Sequence, residues 1–213
     1  MLYMQPADSG DGGGQRSFIE EARRRQIVAA AIATIAEEGY ARASFVRIAA
    51  RASVSPGLIT YHFKTKERLI RQVLEHVHTR LDRAMEGGPE PLAGFEDGLH
   101  RIVAGHVRYC SQHPEEMAAR QEIIGAAVPP AVRGWITENE ASGRAELVGF
   151  LTEGQRHGEF RDFDPEVFTD TLFAALGSAP HRLRRRPAGE HEAYARELAR
   201  LFAAAATGRA PSR

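Results

Sequence analysis

Apolar residues recur along this chain at helical spacing and nowhere hold the alternating spacing of a strand. Ile27, Val28, Ala31, Ile32, Ile35 and Ala36 fall on one stripe of a 3.6-residue repeat. Gly39 follows as a C-terminal stop. Ser44 is placed to cap a second helix, whose Phe45, Ile48, Ala49 and Ala52 turn inward. After the break Ser53-Val54-Ser55, the pair Ser55-Pro56 opens a third helix. The hydroxyl serves as N-cap, and the proline stands where a missing N–H is harmless. That helix is short, because Thr65 starts a fourth, running through Leu69, Val73, Leu74 and Val77 towards Gly87-Gly88. Further helical stretches are predicted over 91–113, 114–127, 130–157, 165–185 and 188–206. The pattern predicts an all-α chain of about nine helices in two domains.

Residues 1–16 are rich in Gly and polar groups and offer nothing to bury, so they are expected to form a tail. A helix-turn-helix domain is expected over 17–64, a second helical domain over 65–207, and a short tail over 208–213. Gly12-Gly13-Gly14 does not make a phosphate loop, since no apolar strand precedes it and no Lys-Ser/Thr follows.

Composition adds boundaries. No apolar run approaches the roughly 20 residues that cross a bilayer, and the first residues lack the basic start and apolar stretch of a secretory signal. Cys110 is the lone cysteine, which excludes an internal disulfide framework and fits a cytoplasmic protein. The formal net charge is zero, but its distribution is uneven. Between Arg16 and Arg83 there are 13 Lys/Arg against 7 Asp/Glu, whereas Ala84 to Arg213 holds 15 against 19. A basic front and an acidic back suit a chain of which one part meets a polyanion, although charge runs are usually solvated faces.

Helix, three-residue turn, short helix is the layout of a helix-turn-helix, whose second helix enters the major groove. Here that helix presents Pro56, Gly57, Leu58, Thr60, Tyr61 and His62 behind the cap Ser55. Gly57 allows close backbone approach, Thr60 offers a hydroxyl and a methyl, and Tyr61 and His62 reach phosphates. Lys64 and Lys66 sit at the start of the next helix, where backbone N–H groups also favour a phosphate. Ser44 and Arg47 are placed to clamp the opposite strand. From spacing alone, three short core helices would read the same way.

The string Ile48-Ala49-Ala50-Arg51-Ala52-Ser53-Val54-Ser55-Pro56-Gly57-Leu58-Ile59-Thr60-Tyr61-His62-Phe63-Lys64-Thr65-Lys66-Glu67-Arg68-Leu69 separates the two. It resembles the DNA-binding signature of TetR-family regulators, and Ile35-Ala36-Glu37-Glu38-Gly39-Tyr40 matches that family's opening helix. The resemblance covers about residues 18–74. It departs at Ser53, where the family often has Gly in the turn, and at Thr60, where an aromatic residue is frequent. It implies a homodimer on double-stranded operator DNA, a C-terminal domain binding a small-molecule effector, and loss of DNA affinity on effector binding. Repression over activation is implied by the resemblance alone.

Some of these implications have their own residues. Phe168, Leu172, Leu176 and Ala179 line one side of the penultimate helix, and Tyr194, Leu198, Leu201 and Phe202 one side of the last. Both stripes suit either the chain's own core or a two-fold partner. Phe95, Ile102, His106, Tyr109, Met117, Gln121, Trp135, Asn139 and Phe150 mix apolar and polar groups as a ligand pocket does, or are core. His106, Cys110 and His113 share one helical face at i, i+4 and i+7, a spacing open to a metal, but no fourth ligand is evident. No metal and no cofactor is expected. The chain carries no nucleophile elbow, no His-Glu-x-x-His and no nucleotide loop, so an enzyme is not expected. A helical protein–protein adaptor with a vestigial helix-turn-helix is the alternative to a ligand-responsive regulator.

Overall fold

The computed structural model describes residues 12–88 and 90–209, with side chains from residue 18 onward. Among them there is no strand, and the helices run in the order α1 (Gly12–Glu38), α2 (Phe45–Ala52), α3 (Pro56–Phe63), α4 (Lys66–Glu86), α5 (Phe95–Gln112), α6 (Pro114–Gly125), α7 (Pro130–Arg156), α8 (Pro165–Leu183) and α9 (His191–Thr207). The all-α expectation is met, with an N-terminal helix-turn-helix unit followed by a helical C-terminal unit.

Boundaries differ in three places. Helix α1 begins at Gly12, so residues 12–16, expected in the tail, are helical; residues 1–11 and 210–213 lie outside the described part. Helix α5 begins at Phe95 rather than at residue 91. Its N-cap is Gly94, which has no side chain to offer. The carboxylate of Glu159 accepts the orphan N–H groups of Phe95 (2.7 Å) and Glu96 (3.3 Å) instead. A cap supplied from so far along the chain leaves no mark in the local sequence. A 3-10 turn over Ala188–Glu190 precedes α9, which shortens the helix expected from residue 188.

The N-terminal unit packs around Ile27, Ile35, Ile48, Ile59 and Leu69, all fully buried. In the C-terminal unit α5 is central, packed by α4, α8 and α9. Helix α9 meets it through Ala195, Ala199, Ala203 and Ala206, all buried, so the two backbones lie close. Helices α4 and α5 cross at Gly105, where a Cβ would stand 2.2 Å from the carbonyl oxygen of Ala84. Helix α6 packs on both α1 and α4 and so joins the two units.

Candidate nucleic-acid interface and ligand cavity

Each helix of the N-terminal motif is started by a hydroxyl. Ser44 Oγ accepts from the N–H of Arg47, Ser55 Oγ from that of Leu58 and Thr65 Oγ1 from that of Arg68. The turn between α2 and α3 is left-handed at Ser53 (φ 52°, ψ 43°), the conformation that glycine adopts most freely. The turn nevertheless closes, with the N–H of Ser53 reaching Ala50 (3.3 Å) and that of Val54 reaching Ala49 (3.0 Å).

This arrangement leaves one continuous exposed edge. Ser44, Arg47, Ser55, Pro56, Gly57, Thr60, Tyr61 and Lys64 are exposed, with Leu58 and His62 half-buried beside them. Tyr61 is 60 % exposed although aromatic, and the Lys64 ammonium lies 5.2 Å from its ring centroid. Ile59 and Phe63, on the opposite side of α3, are buried, and the helix packs on α2 and α4. Arg47 pairs with Glu38, and Arg51 with Glu37. The Thr60 hydroxyl donates to the Pro56 carbonyl (3.2 Å).

Lys66 is the exception among the expected DNA-contacting residues. Its ammonium donates to the Tyr40 carbonyl at 2.8 Å and sits 4.3 Å from the Tyr40 ring centroid. Partial burial pulls its pKa below the usual lysine value. The side chain ties α4 to the α1–α2 loop instead of facing outward. Two further clasps were not anticipated. Arg24 donates to the His62 carbonyl (3.1 Å) and to Gln72 (3.0 Å), and Gln26 donates to the Ala52 carbonyl (2.7 Å). Both polar residues interrupt no apolar stripe, so sequence periodicity passes them over.

In the C-terminal unit a cavity of about 820 Å³ opens among α4, α5, α6, α7 and α8. Ile102, His106, Asn139 and Phe150, named from sequence, line it. Phe95, Tyr109, Met117, Gln121 and Trp135 are absent from the lining. Phe95 joins an aromatic cluster with Phe150 and Phe160, and Met117 is core. Tyr109 is buried with its hydroxyl on Glu116, and Trp135 meets His78 edge to face. Lining residues the sequence reading missed include Leu81, Met85, Arg120, Leu147 and Phe173. Arg120 had a signal: it lies three residues from both Met117 and Ile123, each fully buried, on the inward face of α6.

His106 is only 9 % exposed, and its environment follows from a proline. Pro180 lies inside α8 and lacks the N–H that would bond the carbonyl four residues back, that of Leu176. The His106 imidazole donates to that carbonyl. Its Nε2 has no partner among the described residues, so the committed nitrogen is Nδ1. A neutral imidazole with Nδ1–H engaged presents Nε2 as an acceptor. Burial, with the positive charge of Arg120 nearby, pushes the imidazole pKa down to about 4.

His106, Cys110 and His113 do not converge. Burial pushes the Cys110 thiol up to about 12, and His113 turns to Arg80 (3.2 Å). Among the described residues no group of three His, Cys, Asp or Glu is placed to hold a metal. A second cleft of about 600 Å³ between α5 and α9 is lined mostly by charged side chains, including the Asp97–Arg101 pair. No helix of the described residues is long and apolar enough to cross a membrane.

The terminal helices correct the expected dimer face. Leu172, Leu176 and Ala179 are buried inside the chain, and Phe168 and Phe202 pack edge to face, 5.6 Å between centroids. Tyr194 and Leu198 are half-buried, and only Leu201, 53 % exposed, faces outward. Outward on α8 are Val167, Thr171, Ala174 and Gly177, one stripe at helical spacing; α9 adds Ala193, Glu197 and Ala205.

Comparison with known proteins agrees with this geometry. Residues 27–73 match the model of bacterial regulatory proteins of the tetR family. The HTH-type transcriptional regulator BetI of Cronobacter sakazakii is 34% identical over 99 residues, spanning 46% of this chain and 49% of that protein. The HTH-type transcriptional repressor NicS of Pseudomonas putida is 28% identical over 153 residues, spanning 70% and 71%. The solved structure of the regulator FadR from Bacillus subtilis, in complex with stearoyl-CoA, superposes with a TM-score of 0.70 at 22% identity, covering 85% of this chain and 98% of that one. The TetR-family regulator PfmR from Thermus thermophilus gives 0.69 at 21%, covering 84% and 94%. Residues 27–73 thus match the DNA-binding motif of the tetR family, and the helical architecture behind them is the fold of solved TetR-family regulators.

Proposed function

We propose that the chain represses transcription as a homodimer on an inverted-repeat operator and is released when a small molecule fills the cavity among α4–α8. The observation that carries this is the exposed edge of α3, held outward by capped neighbours and a buried opposite face, within the stretch Arg16 to Arg83 that has the positive excess.

On DNA, α3 lies in the major groove. Gly57 and Thr60 approach base edges, while Ser44, Arg47, Ser55, Tyr61 and Lys64 take phosphates. Arg47 exchanges its partner Glu38 for phosphate. Two α3 helices engage adjacent groove faces about 34–36 Å apart, which requires a partner subunit. The outward stripes of α8 and α9, centred on Val167 and Leu201, suit a self-complementary four-helix contact.

Release works through α6, which contributes Arg120 to the cavity and packs on α1. A ligand that binds better when α6 has moved draws the pair of α3 helices out of register. Differential affinity for the two states is what shifts the population.

In-vitro selection of random duplex DNA by the purified chain is the test. An inverted repeat, bound with an affinity that falls steeply with salt and weakened across sequences by Tyr61→Ala with the dimer intact, is the expected result. Well-folded protein that enriches no sequence at low salt refutes the reading and favours the adaptor.

A further inference from the structure

We propose that the effector is an amphipathic hydroxy acid carrying a single negative charge, its carboxylate held by Arg120 and its hydroxyl donating to Nε2 of His106. This rests on the effector reading above and adds the chemical class of the ligand.

Arg120 lines the cavity with no hydrogen bond or ion pair among the described residues. Glu140 is near enough to act on it electrostatically, without an ion pair. An enclosed guanidinium left without a carboxylate is costly unless something occupies its fork. A planar carboxylate does so with two parallel hydrogen bonds. His106 is the second, independent observation. It is almost wholly enclosed, its Nδ1–H is engaged by the break at Pro180, and its Nε2 lone pair has no donor. That lone pair calls for an O–H, which a bare carboxylate lacks.

The rest of the wall sets the body of the ligand and the size of its charge. Leu81, Met85, Phe150 and Phe173 give it an apolar lining. Asp82, Glu86, Glu140 and Glu146 also line it and repel further negative charge, while the lining Arg101 and Arg144 are already paired with Asp97 and Asp170. One unpaired cation against these carboxylates suits a monoanion and disfavours a nucleotide or coenzyme A head. A volume of about 820 Å³ lies within the range of small-molecule sites, roughly 300–1,000 Å³.

The experiment is calorimetric titration of the full chain with matched probes. These are β-hydroxydecanoate, decanoate, salicylate, benzoate, methyl decanoate, decyltrimethylammonium and decanoyl-CoA. At least one of the two hydroxy acids is expected to bind saturably, at least tenfold tighter than its parent acid and than every neutral, cationic or CoA probe. Arg120→Gln weakens it at least tenfold, Arg120→Lys retains part of the affinity, and His106→Leu removes the advantage of the hydroxyl. Should Arg120→Gln fail to fold, the charge series on the unaltered chain still decides.

Neutral or cationic probes binding as tightly as the acids, acid binding indifferent to a folded Arg120→Gln, or no binding by either hydroxy acid overturns the proposal. Parallel titration of the chain on its selected DNA separates the two readings. Hydroxy acids that bind without releasing DNA refute release and leave the ligand class standing. Release by a neutral or cationic probe does the reverse.

Discussion

Acidification is expected to destabilise this protein through His106 well before its carboxylates titrate. Burial and the neighbouring Arg120 hold the folded imidazole at about 4, against 6.5 ordinarily. Above pH 6.5 the ring is neutral in both states. As pH falls below 6.5, the unfolded chain takes up the proton and the folded chain does not, so unfolding gains. The effect is complete near pH 4, where the folded ring also protonates. The gap corresponds to about 3 kcal/mol in full and about 2 kcal/mol at pH 5. The assay is urea unfolding at fixed protein concentration, at pH 7.5 and pH 5, for the parent chain and for His106→Leu. The variant starts less stable, because the Leu176 carbonyl loses its donor, but its stability falls less between the two pH values. Carboxylates and His76, whose pKa burial also lowers beside Glu116, Arg80 and His113, act alike in both proteins and cancel. Equal losses in the two proteins refute a neutral, enclosed His106.

Lys64→Ala should weaken DNA binding and reduce the slope of log affinity against log salt by about 1. Lys66→Ala should leave that slope unchanged and lower stability by about 1 kcal/mol, through the lost bond to the Tyr40 carbonyl. Gly105→Ala should destabilise by about 1–3 kcal/mol in thermal or urea unfolding, because its methyl meets the Ala84 backbone oxygen. Leu201→Glu should convert a dimer to monomer in sedimentation while leaving the far-ultraviolet spectrum of the chain unchanged, since this side chain is outside the core.

Sequence reading reached the helices and the exposed edge of the helix-turn-helix because both are written locally. Ser44, Ser55 and Thr65 cap within three residues of themselves, and the burial of Ile48, Ala49 and Ile59 follows a 3.6-residue period. What it missed depends on partners distant in the chain. The start of α5 is set by Glu159, and Lys66 is drawn inward by Tyr40. On α9 the largest apolar residues invited a packing role, yet the buried positions are alanines. Close approach to α5 selects small side chains there, which a search for bulky stripes overlooks. For the same reason Leu172 and Leu176 on α8 read as interface, with the core as the alternative, until the neighbouring helices were in place. Arg120 was passed over because a charge on an inward face is easily taken for a surface position.

The bond that mends α8 at Pro180 also constrains anyone wishing to retune this protein. His106 is at once a brace for α8 and a wall of the cavity, so its replacement in a search for new ligands of that cavity would unsettle the helix on which the proposed subunit pairing depends. Libraries aimed at altered ligand preference should therefore hold position 106 constant and diversify Leu147, Phe150 and Phe173, which touch the same space without bracing a neighbouring backbone. The same coupling gives an internal control: a variant that loses induction and assembly together points to position 106 or 180, and one that loses induction alone points elsewhere on the wall.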